Sequence, residues 1–380
     1  MVNKKRVIRL LQKLIRINSE NPPGDESRIA AFVKNYLEKL RLKTKIYELK
    51  KNRANVLAYF GRQDKKSRSL LITPHLDTVP QGVSWKFNPF SGTIQNGKIY
   101  GLGATDCKAN IAVSLEAIRS LAEDKVKLNY QLVFAATADE ESGSDLGLIP
   151  LLNKGLLKPD AALVLDADDF AIIVAQKGLI HLKLKIKGKR AHGAYPWRGV
   201  NAIDIAVKIL SELKKPGFLP AKQTKYLKSP TLNIGMIKGG DKVNIVADWC
   251  EIELDFRFLP GMSAQGILQK LKTVIRKYAK KYKIEIEGMQ KPYLISEGHA
   301  LVGQLKDAMR KFKIRPRVKG SEGATTITFF QNKNIPAVAC GFGSEGCAHT
   351  PDEYVKIENL HKGALVLEGF LKNYDFSGCR

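Results

Sequence analysis

The sequence predicts an α/β protein in which a mostly parallel central sheet is flanked by helices and interrupted by a smaller, two-layer α+β insert. Short apolar runs near residues 70–73, 130–137 and 161–165 are typical of strands buried on both faces, as in a parallel sheet. Segments with helical periodicity separate these runs, which is the order of a βαβ protein. Residues 180–187 instead alternate apolar and mostly basic side chains, which is typical of a half-exposed antiparallel strand.

The first part of the chain begins with an amphipathic helix that ends near Asn18. Its apolar residues recur at helical spacing: Val7, Leu10, Leu11, Leu14 and Ile15. A Pro/Gly loop follows, and the remaining pattern alternates between strand and helix periods. The predicted strands are 43–49, 55–60, one beginning at Leu70, 130–137 and 161–165, and the predicted helices are 28–40 and 109–122.

The insert is predicted to be a βαββαβ-like domain over residues 177–288, which leaves 1–176 and 289–380 as the two parts of the larger domain. Its predicted strands are 180–187, 231–237, 242–247, 250–258 and 284–287, and its predicted helices are 201–213 and 263–282. The larger domain then resumes with a helix over 298–312, a short buried strand over 337–340 and a final helix over 357–372.

The composition bounds the possible partners and the compartment. There are 63 Lys and Arg residues against 37 Asp and Glu, a net charge of +26. No nucleic-acid-binding signature accompanies this charge, so we expect no nucleic-acid partner and favour attraction for an acidic small substrate. The five cysteines are scattered without a CxxC pair, which predicts a reducing, cytoplasmic location without disulfides. No signal peptide or membrane span is predicted, and no membrane partner is expected.

Titratable side chains follow three of the predicted buried strands. His75 and Asp77 follow the first, Glu140 and Glu141 the second, and Asp166 the third. A lone acid and a late imidazole complete the set: Asp106 and His349. The carboxyl ends of parallel strands meet at one edge of the sheet, so these groups are expected to converge. Carboxylates and imidazoles suit Zn²⁺ or a similar ion, and their number suits two ions. For each motif alone, a satisfied His–Asp pair or an exposed acidic turn is the alternative.

As a set, these motifs resemble the di-zinc metallopeptidase family that includes succinyl-diaminopimelate desuccinylase, acetylornithine deacetylase, carboxypeptidase G, aminoacylase and the carnosinase-type dipeptidases. The resemblance runs from Asn21, in NPPG, to His349, in HTPDE, and covers nearly the whole chain. It implies a fold of the zinc-peptidase type, a homodimer, and a lid and dimerisation role for residues 177–288. It also implies two bound Zn²⁺ ions, with Co²⁺ or Mn²⁺ as alternatives.

The resemblance also implies a role for each of the converging residues. The implied ligands are His75, Asp106 and Asp166 for one zinc, and Asp106, Glu141 and His349 for the other. Asp77 is similar to the family's residue that orients the His75 imidazole. Glu140 matches the family's general base, which takes a proton from a water shared by the two ions and delivers it to the leaving amine.

Three residues of the insert are similar to family residues that act on the substrate. The stretch GKRAHGAYPWRGVNA, residues 188–202, resembles the signature GxxAHxxxPxxGxNA, which implies that His192 stabilises the tetrahedral oxyanion, often from the partner subunit. A structural loop histidine is the alternative. Asn244 and Arg257 resemble residues that hold the substrate, with Arg257 gripping its carboxylate through a bidentate fork. A salt-bridged strand arginine is the alternative for Arg257.

The chain departs from the family pattern at three places. Cys107 replaces the usual Met after the bridging Asp, and is expected to be a small filler in preference to an accessible thiol. The Asp and Arg of the family's Gly-Thr-Asp-Ala-Arg stretch are absent from residues 323–328. Asp166 stands where deacylases commonly carry Glu, while aminopeptidases and dipeptidases commonly carry Asp. The last departure weakens a desuccinylase assignment, whereas the positive charge favours an acidic acyl group.

The predicted function is hydrolysis of the amide bond of an N-acyl amino acid, similar to acetylornithine deacetylase or succinyl-diaminopimelate desuccinylase. A dipeptidase, aminopeptidase or carboxypeptidase of the same family, acting on a short peptide, is the alternative. A non-enzymatic basic binding protein is the alternative of another class, and the complete set of implied ligands and base argues against it. A serine or cysteine hydrolase is not favoured, because the sequence contains no GxSxG and no cysteine placed as a nucleophile elbow.

Overall fold

A computed structural model describes residues 1–62, 64 and 67–377 of the chain. Four of the five cysteines are free thiols with buried side chains, namely Cys107, Cys250, Cys340 and Cys347. The fifth, Cys379, for which no disulfide was predicted either, lies outside the described residues. The chain divides into two compact units. The first unit contains Met1–Val174, Ile295–Lys319 and Phe329–Arg380, and the second contains Ala175–Leu294 and Gly320–Thr328.

The strands and helices of the described residues have the following bounds. The strands are β1 (Lys43–Lys50), β2 (Arg53–Gly61), β3 (Ser69–Thr73), β4 (Thr93–Gln95), β5 (Lys98–Tyr100), β6 (Gln131–Ala136), β7 (Ala161–Val164), β8 (Ala171–Gln176), β9 (Gly178–Lys187), β10 (Thr231–Gly239), β11 (Trp249–Phe258), β12 (Tyr282–Gln290), β13 (Tyr293–Leu294), β14 (Arg317–Ser321), β15 (Ala337–Cys340) and β16 (Tyr354–Lys356). The helices are α1 (Lys4–Ile15), α2 (Ser27–Glu38), α3 (Lys108–Glu123), α4 (Leu148–Asn153), α5 (Ala202–Leu213), α6 (Ala264–Tyr278), α7 (Ala300–Lys311), α8 (Ile327–Gln331) and α9 (Ile357–Asn373).

The first unit is built on a mixed sheet with the strand order β1-β2-β6-β3-β7-β15-β8. The four strands β6, β3, β7 and β15 run parallel to one another, and they are the apolar runs predicted from the sequence. The strands β1 and β2 on one side and β8 on the other are antiparallel to their neighbours. The predicted α/β architecture is therefore confirmed, and the parallel part of the sheet is its centre.

Helices cover this sheet because each presents one apolar face. The predicted apolar stripe of α1 is the buried one: Val7, Leu10, Leu11, Leu14 and Ile15. Burial of each such side chain contributes roughly 1.5–3 kcal/mol relative to exposure. Helices α1 and α9 pack against α3, and α2 packs against β1 and β2. Nearly every side chain of α3 is buried, so this helix lies at the centre of the first unit.

The second unit is a four-stranded antiparallel sheet, in the order β10-β11-β9-β12, with two helices packed on it. Alternate residues of β9 and β11 are buried, as the alternating sequence of residues 180–187 predicted. These residues share one apolar core with α5 and α6: Leu182, Leu184, Ile186, Ile209, Leu213, Ile252, Leu254, Phe256, Ile267, Leu271 and Ile275.

One predicted element of the second unit is wrong. Residues 242–247 do not form a strand, because the Ile245 N–H donates to the Lys242 carbonyl at 3.1 Å and closes a turn. Val243 is fully exposed at the tip of this turn. The Val246 N–H then donates to the Ala191 carbonyl at 2.9 Å, so this segment pairs with a loop instead of a sheet.

Five strands that lie wholly or partly in the first unit were not predicted, namely β4, β5, β8, β14 and β16. Strand β8 is a short apolar run that ends two residues before β9 begins in the sequence. The segments β4, β5 and β16 form a separate three-stranded sheet in which each strand has three residues. Runs of three residues carry too little periodicity to be recognised.

Among the described residues, no helix combines the length and hydrophobicity that crossing a bilayer requires.

Candidate active site

The candidate site lies at the carboxyl ends of the central parallel strands of the first unit. His75 follows β3, and Asp166 follows β7. Glu140 and Glu141 lie on a single 3₁₀ turn after β6, while His349 lies in the loop after β15. Parallel strands end at the same edge, so the chain order of these residues does not limit their convergence.

The His75 imidazole faces Asp106. Its Nδ1 lies 3.0 Å from the backbone carbonyl of Asp77 and 3.5 Å from the Asp77 carboxylate. A carbonyl only accepts, so Nδ1 is the donor, and in the neutral imidazole Nε2 carries the lone pair. This Nε2 lies 2.9 Å from Oδ1 of Asp106 and 3.9 Å from Oδ1 of Asp166. Two acceptors at 2.9 Å repel each other unless a proton or a cation lies between them.

Asp106 also contacts the second imidazole of the site. Nε2 of His349 lies 3.2 Å from Oδ2 of Asp106 and 3.0 Å from Oε1 of Glu141. These hydrogen bonds, first to Asp106 and then to Glu141, raise the pKa of His349 to about 10. The Asp106 carboxylate is thus shared between the two imidazoles of the cluster.

Two other carboxyl groups of the cluster have raised pKa values, because burial and neighbouring negative charges outweigh the nearby positive charge. Burial, followed by the negative charge of Asp106, raises the pKa of Asp166 to about 7. Burial, followed by the charge of Asp166, raises the pKa of Glu140 well above its usual range. Within the described part of the chain, the Glu140 carboxylate accepts no hydrogen bond and forms no ion pair. Glu140 therefore combines a raised pKa with a carboxyl group that has no polar partner among the described residues.

The donor set fits divalent cations. Ligand atoms within 4.8 Å of one another occur in two groups, His75 with Asp106 and Cys107, and Asp106 with Glu141 and His349. Asp106 belongs to both groups, which is the arrangement that a carboxylate bridging two ions requires. The facing lone pairs of Nε2 and carboxylate oxygen, and the excess of carboxyl groups, are both relieved by cations.

Cys107 is a buried filler, as expected. Its side chain is 1% exposed, and burial raises the pKa of the thiol to about 12. Its Sγ accepts a hydrogen bond from the His75 backbone N–H at 3.2 Å. The thiol therefore helps to hold the end of β3 against the start of α3.

Sequence reasoning missed Glu353, the last residue of the AHTPDE motif. Its buried carboxylate accepts three backbone N–H bonds, from Gly103 at 2.8 Å, Thr105 at 2.7 Å and Asp106 at 2.9 Å. The loop that carries Asp106 is thereby held by a residue from the far end of the chain. Its place in the same motif as the implied ligand His349 could have marked Glu353 as a candidate. The backbone N–H groups that its buried carboxylate needs were not identifiable from the sequence.

Further residues around Asp77 were also missed. The Asp77 carboxylate is fully buried and accepts bonds from the backbone N–H groups of Glu140 and Glu141, both at 3.1 Å, and from Nδ2 of Asn21 at 2.9 Å. Asp77 therefore positions the acidic turn as well as His75. Asn21 lies in the NPPG segment, and its amide explains why this segment adjoins the site.

Arg53 holds the segment that precedes the Glu140 turn. Its guanidinium forms a bidentate pair with Glu26 at 2.7 and 2.8 Å, and Nη2 also donates to Asp139 at 2.7 Å. All three side chains are buried, and Asp139 immediately precedes the Glu140 turn. The buried ion cluster thus links the start of α2, β2 and the exit of β6.

The second unit contains the other three predicted residues. His192 and Asn244 lie on neighbouring segments, because the Gly193 N–H donates to the Asn244 carbonyl at 2.8 Å. Nδ1 of His192 accepts the Ala194 N–H at 3.1 Å, so a neutral imidazole carries its proton on Nε2. Arg257 pairs with Asp255 through two bonds of 2.8 and 3.0 Å. The fork of Arg257 therefore has a carboxylate partner within its own strand, as the alternative prediction described.

Comparison with known proteins identifies the family. Residues 71–373 match Peptidase family M20/M25/M40. The chain belongs to this family. An uncharacterized metallohydrolase of Methanocaldococcus jannaschii is 30% identical, with 96% of this chain and 98% of the relative covered. The acetylornithine deacetylase of Vibrio cholerae is 28% identical over 95% of each chain. The crystal structure of a tripeptidase from Staphylococcus aureus superposes with a TM-score of 0.82, at 27% identity and 98% coverage of both chains.

Membership of the M20/M25/M40 family makes the chain a metal-dependent amidohydrolase. The predicted resemblance to deacylases and dipeptidases is confirmed, and so is the predicted enzyme class. The relatives include both a deacetylase and a tripeptidase, so family membership is compatible with either substrate class.

Proposed function

We propose that this amidohydrolase cleaves the amide bond of an N-acyl amino acid, with two divalent cations at the candidate site and Glu140 as the general base. The observation that carries the proposal is the position of Asp106, whose two carboxylate oxygens contact His75 and His349. A single carboxylate placed between two imidazoles, each supported by a further acid, is suited to bridge two ions.

The proposed ligands are His75, Asp106 and Asp166 for one ion, and Asp106, Glu141 and His349 for the other. Zn²⁺ is the first choice, because imidazole and carboxylate are among its common ligands, with Co²⁺ or Mn²⁺ as alternatives. When bound, the ions would polarise the amide carbonyl and lower the pKa of a nearby water. Asp77, through its backbone carbonyl, holds His75 with Nε2 directed at the cluster.

Glu140 is proposed to move the proton. Its turn is fixed by Asp77, which accepts the Glu140 N–H, while its carboxylate has no partner among the described residues. Its raised pKa suits a group that takes a proton from water near neutral pH and releases it to the leaving amine. Asp77 acts on this step as a positioning residue.

The acyl substrate is favoured by the acetylornithine deacetylase relatives and by the charge of the chain. A net charge of +26 attracts an anionic acyl amino acid. The second candidate is peptidase activity on a short peptide, favoured by the likeness to the tripeptidase structure and by Asp at position 166. The ion pair between Arg257 and Asp255 would have to open for Arg257 to bind a substrate carboxylate.

The second unit is proposed to contribute His192 and Asn244 to the substrate. The Nε2–H of a neutral His192 is a donor suited to a developing oxyanion. The predicted division into a catalytic domain and a lid and dimerisation domain, the homodimer and the cytoplasmic location are kept as part of this proposal.

The test is a substrate screen on protein of defined metal content. Purified enzyme with Zn²⁺, Co²⁺ or Mn²⁺ is assayed against N-acetyl and N-succinyl amino acids, dipeptides and tripeptides, and amine release is measured. We expect the highest kcat/KM on an N-acyl amino acid. Higher values on di- or tripeptides would favour the second candidate, and activity that survives complete metal removal would contradict both.

A further inference from the structure

A second cleft of the first unit lies between α1 and α2 and is closed on one side by α3. Its volume is about 580 Å³, which is within the range of small-molecule sites. Six cationic side chains line it, namely Lys5, Arg6, Arg9, Lys13, Lys39 and Arg119, and none of the described residues that line it is acidic. None of the proposed ligands or the base belongs to this cleft.

The like charges on α1 lower the stability of this helix. The helix KKRVIRLLQKLI contains five cations and no acid. Lys5, Arg9 and Lys13 are spaced four residues apart, so they line one face, and each like-charged pair at this spacing costs a few tenths of a kcal/mol. Cations in the first turn also oppose the helix dipole. A sequence that breaks local rules in this way is typical of a functional site.

Two of the six cations are held in place, and four are available. Arg6 is paired with Glu116 at 2.7 Å, and Nε of Arg119 donates to Glu123 at 2.7 Å. By contrast, none of the other four forms an ion pair among the described residues: Lys5, Arg9, Lys13 and Lys39. The cleft therefore contains four positive charges that have no balancing anion among the described residues, beside two that are paired.

The cleft also has an apolar wall with one unsatisfied polar atom. Leu10, Phe32 and Tyr36 line it, and the Arg119 guanidinium lies 6.0 Å from the centre of the Tyr36 ring. The Tyr36 hydroxyl is buried and forms no hydrogen bond of ordinary geometry among the described residues, and its polar neighbour is the Arg119 guanidinium. Such a hydroxyl in a native structure calls for a partner, and a ligand in the cleft would supply one.

We propose that this cleft binds a small phosphate ester that has a ring or short apolar portion, such as a nucleotide. The phosphates would lie against the free cations of α1 and Lys39, and the apolar portion against Leu10, Phe32 and Tyr36. A multiply charged phosphate uses several cations at once, whereas a monocarboxylate would leave most of them unpaired. Walls on three helices favour a small molecule over an extended nucleic acid or a membrane surface.

The test is a calorimetric titration of the metal-loaded enzyme with ATP, pyrophosphate and adenosine. We expect ATP to bind more tightly than either fragment. The variant Arg9→Glu/Lys13→Glu should weaken ATP binding by roughly tenfold or more for each cation, the scale of hydrogen bonds to charged groups. Tyr36→Phe should weaken it by roughly two- to tenfold. The control Lys270→Glu/Lys272→Glu, on the exposed face of α6, makes the same change in net charge and should leave binding unaltered.

Several results would overturn the proposal. These are absence of ATP binding, equal loss in the α6 control, and pyrophosphate binding as tightly as ATP. Tighter binding of an RNA oligonucleotide, or of vesicles rich in anionic lipid, with the same sensitivity to Arg9→Glu/Lys13→Glu would also overturn it.

Thermal unfolding provides a second, independent readout. Without ligand, Arg9→Glu/Lys13→Glu should unfold at the same or a higher temperature than the wild type, because like charges on α1 are removed. ATP should raise the midpoint of the wild type and not that of the variant. An ATP-dependent rise of equal size in both proteins would place the binding elsewhere.

Discussion

Asp106 contacts two imidazoles at once, and this single carboxylate determines the arrangement of the candidate site. One oxygen faces His75 and the other faces His349. Its backbone N–H donates to Glu353, so the main chain and the side chain are both held. The neighbouring acids differ in what surrounds them: Glu141 has an imidazole partner, whereas Glu140 has none among the described residues. Adjacent glutamates are thereby given different proposed roles.

The first prediction concerns Glu140. Glu140→Gln removes the base and keeps the shape of the side chain, so turnover should fall by on the order of 10²–10⁴ while bound metal is unchanged. Steady-state kinetics and elemental analysis check this. The matched variant Glu141→Gln should instead lower the metal content. Loss of metal in Glu140→Gln would contradict the assignment of the base.

The second prediction concerns Glu353. Glu353→Gln places an amide N–H against one of the three backbone donors, so the Asp106 loop should shift and metal affinity should fall by roughly 10–100-fold. Competition with a chelator measures the affinity, and excess metal should restore activity. Glu358→Gln, on the surface of α9, is the matched control and should change neither property. An unchanged metal affinity in Glu353→Gln would show that the loop is held by other contacts.

The third prediction concerns His192. His192→Ala removes a proposed oxyanion donor, so kcat should fall by roughly 10²–10³ while metal content is unchanged. His181→Ala, on the exposed face of β9, is the control and should retain activity. If His192→Ala loses metal, the residue does not have the proposed role.

At the scale of elements, the exits of the strands are held by contacts between segments distant in sequence. Arg53 on β2 connects the residue preceding α2 with Asp139 after β6. Gly341 after β15 has no room for a side chain, because a Cβ there would lie 1.7 Å from the Ala167 carbonyl oxygen after β7. These close approaches keep the strand ends, and the acids on them, in register.

The fourth prediction tests the buried ion cluster. Arg53→Met leaves Glu26 and Asp139 without their cation, so the free energy of unfolding should fall by roughly 3–5 kcal/mol. Denaturant unfolding measures this change. In the control Arg310→Met, which breaks the exposed pair with Asp307, the loss should stay below about 1 kcal/mol. A loss of similar size in both variants would show that the cluster does not stabilise the first unit.

At the scale of the whole molecule, positive charge is abundant, yet the candidate site concentrates negative charge. The chain carries +26, while carboxyl groups from four separate segments lie beside only two imidazoles, namely those of Asp77, Asp106, Glu141 and Asp166. Burial and mutual repulsion of these acids explain why the pKa of Asp166 rises to about 7. Bound cations should therefore stabilise the fold as well as supply the chemistry.

The fifth prediction is that metal removal lowers both activity and stability. A cation present at 100 times its dissociation constant stabilises the folded state by about 2.7 kcal/mol. Chelation should therefore lower the thermal midpoint, and added Zn²⁺ should restore it. In His349→Ala, which lacks one proposed ligand, the chelator should have a smaller effect. A thermal midpoint that does not respond to chelation would argue against a bound ion.

The sequence by itself determined the α/β class, the buried strands and helix α1, because hydrophobic periodicity is a local property. It also placed His75, Glu141 and Asp166 at strand ends, where parallel topology brings them to one edge. It did not reveal the three-residue strands or the turn at residues 242–247, since such segments depend on their neighbours.

Only the tertiary structure decided which groups touch. Glu353 binds a loop about 250 residues away in sequence, Arg53 binds Asp139, and Arg257 pairs with Asp255. Hydrogen bonds and ion pairs of this kind form only when segments remote along the chain are positioned to within a few tenths of an ångström. Periodicity specifies which face of a segment is buried, but it does not specify which donor meets which acceptor there, because that is set by how the buried faces pack together.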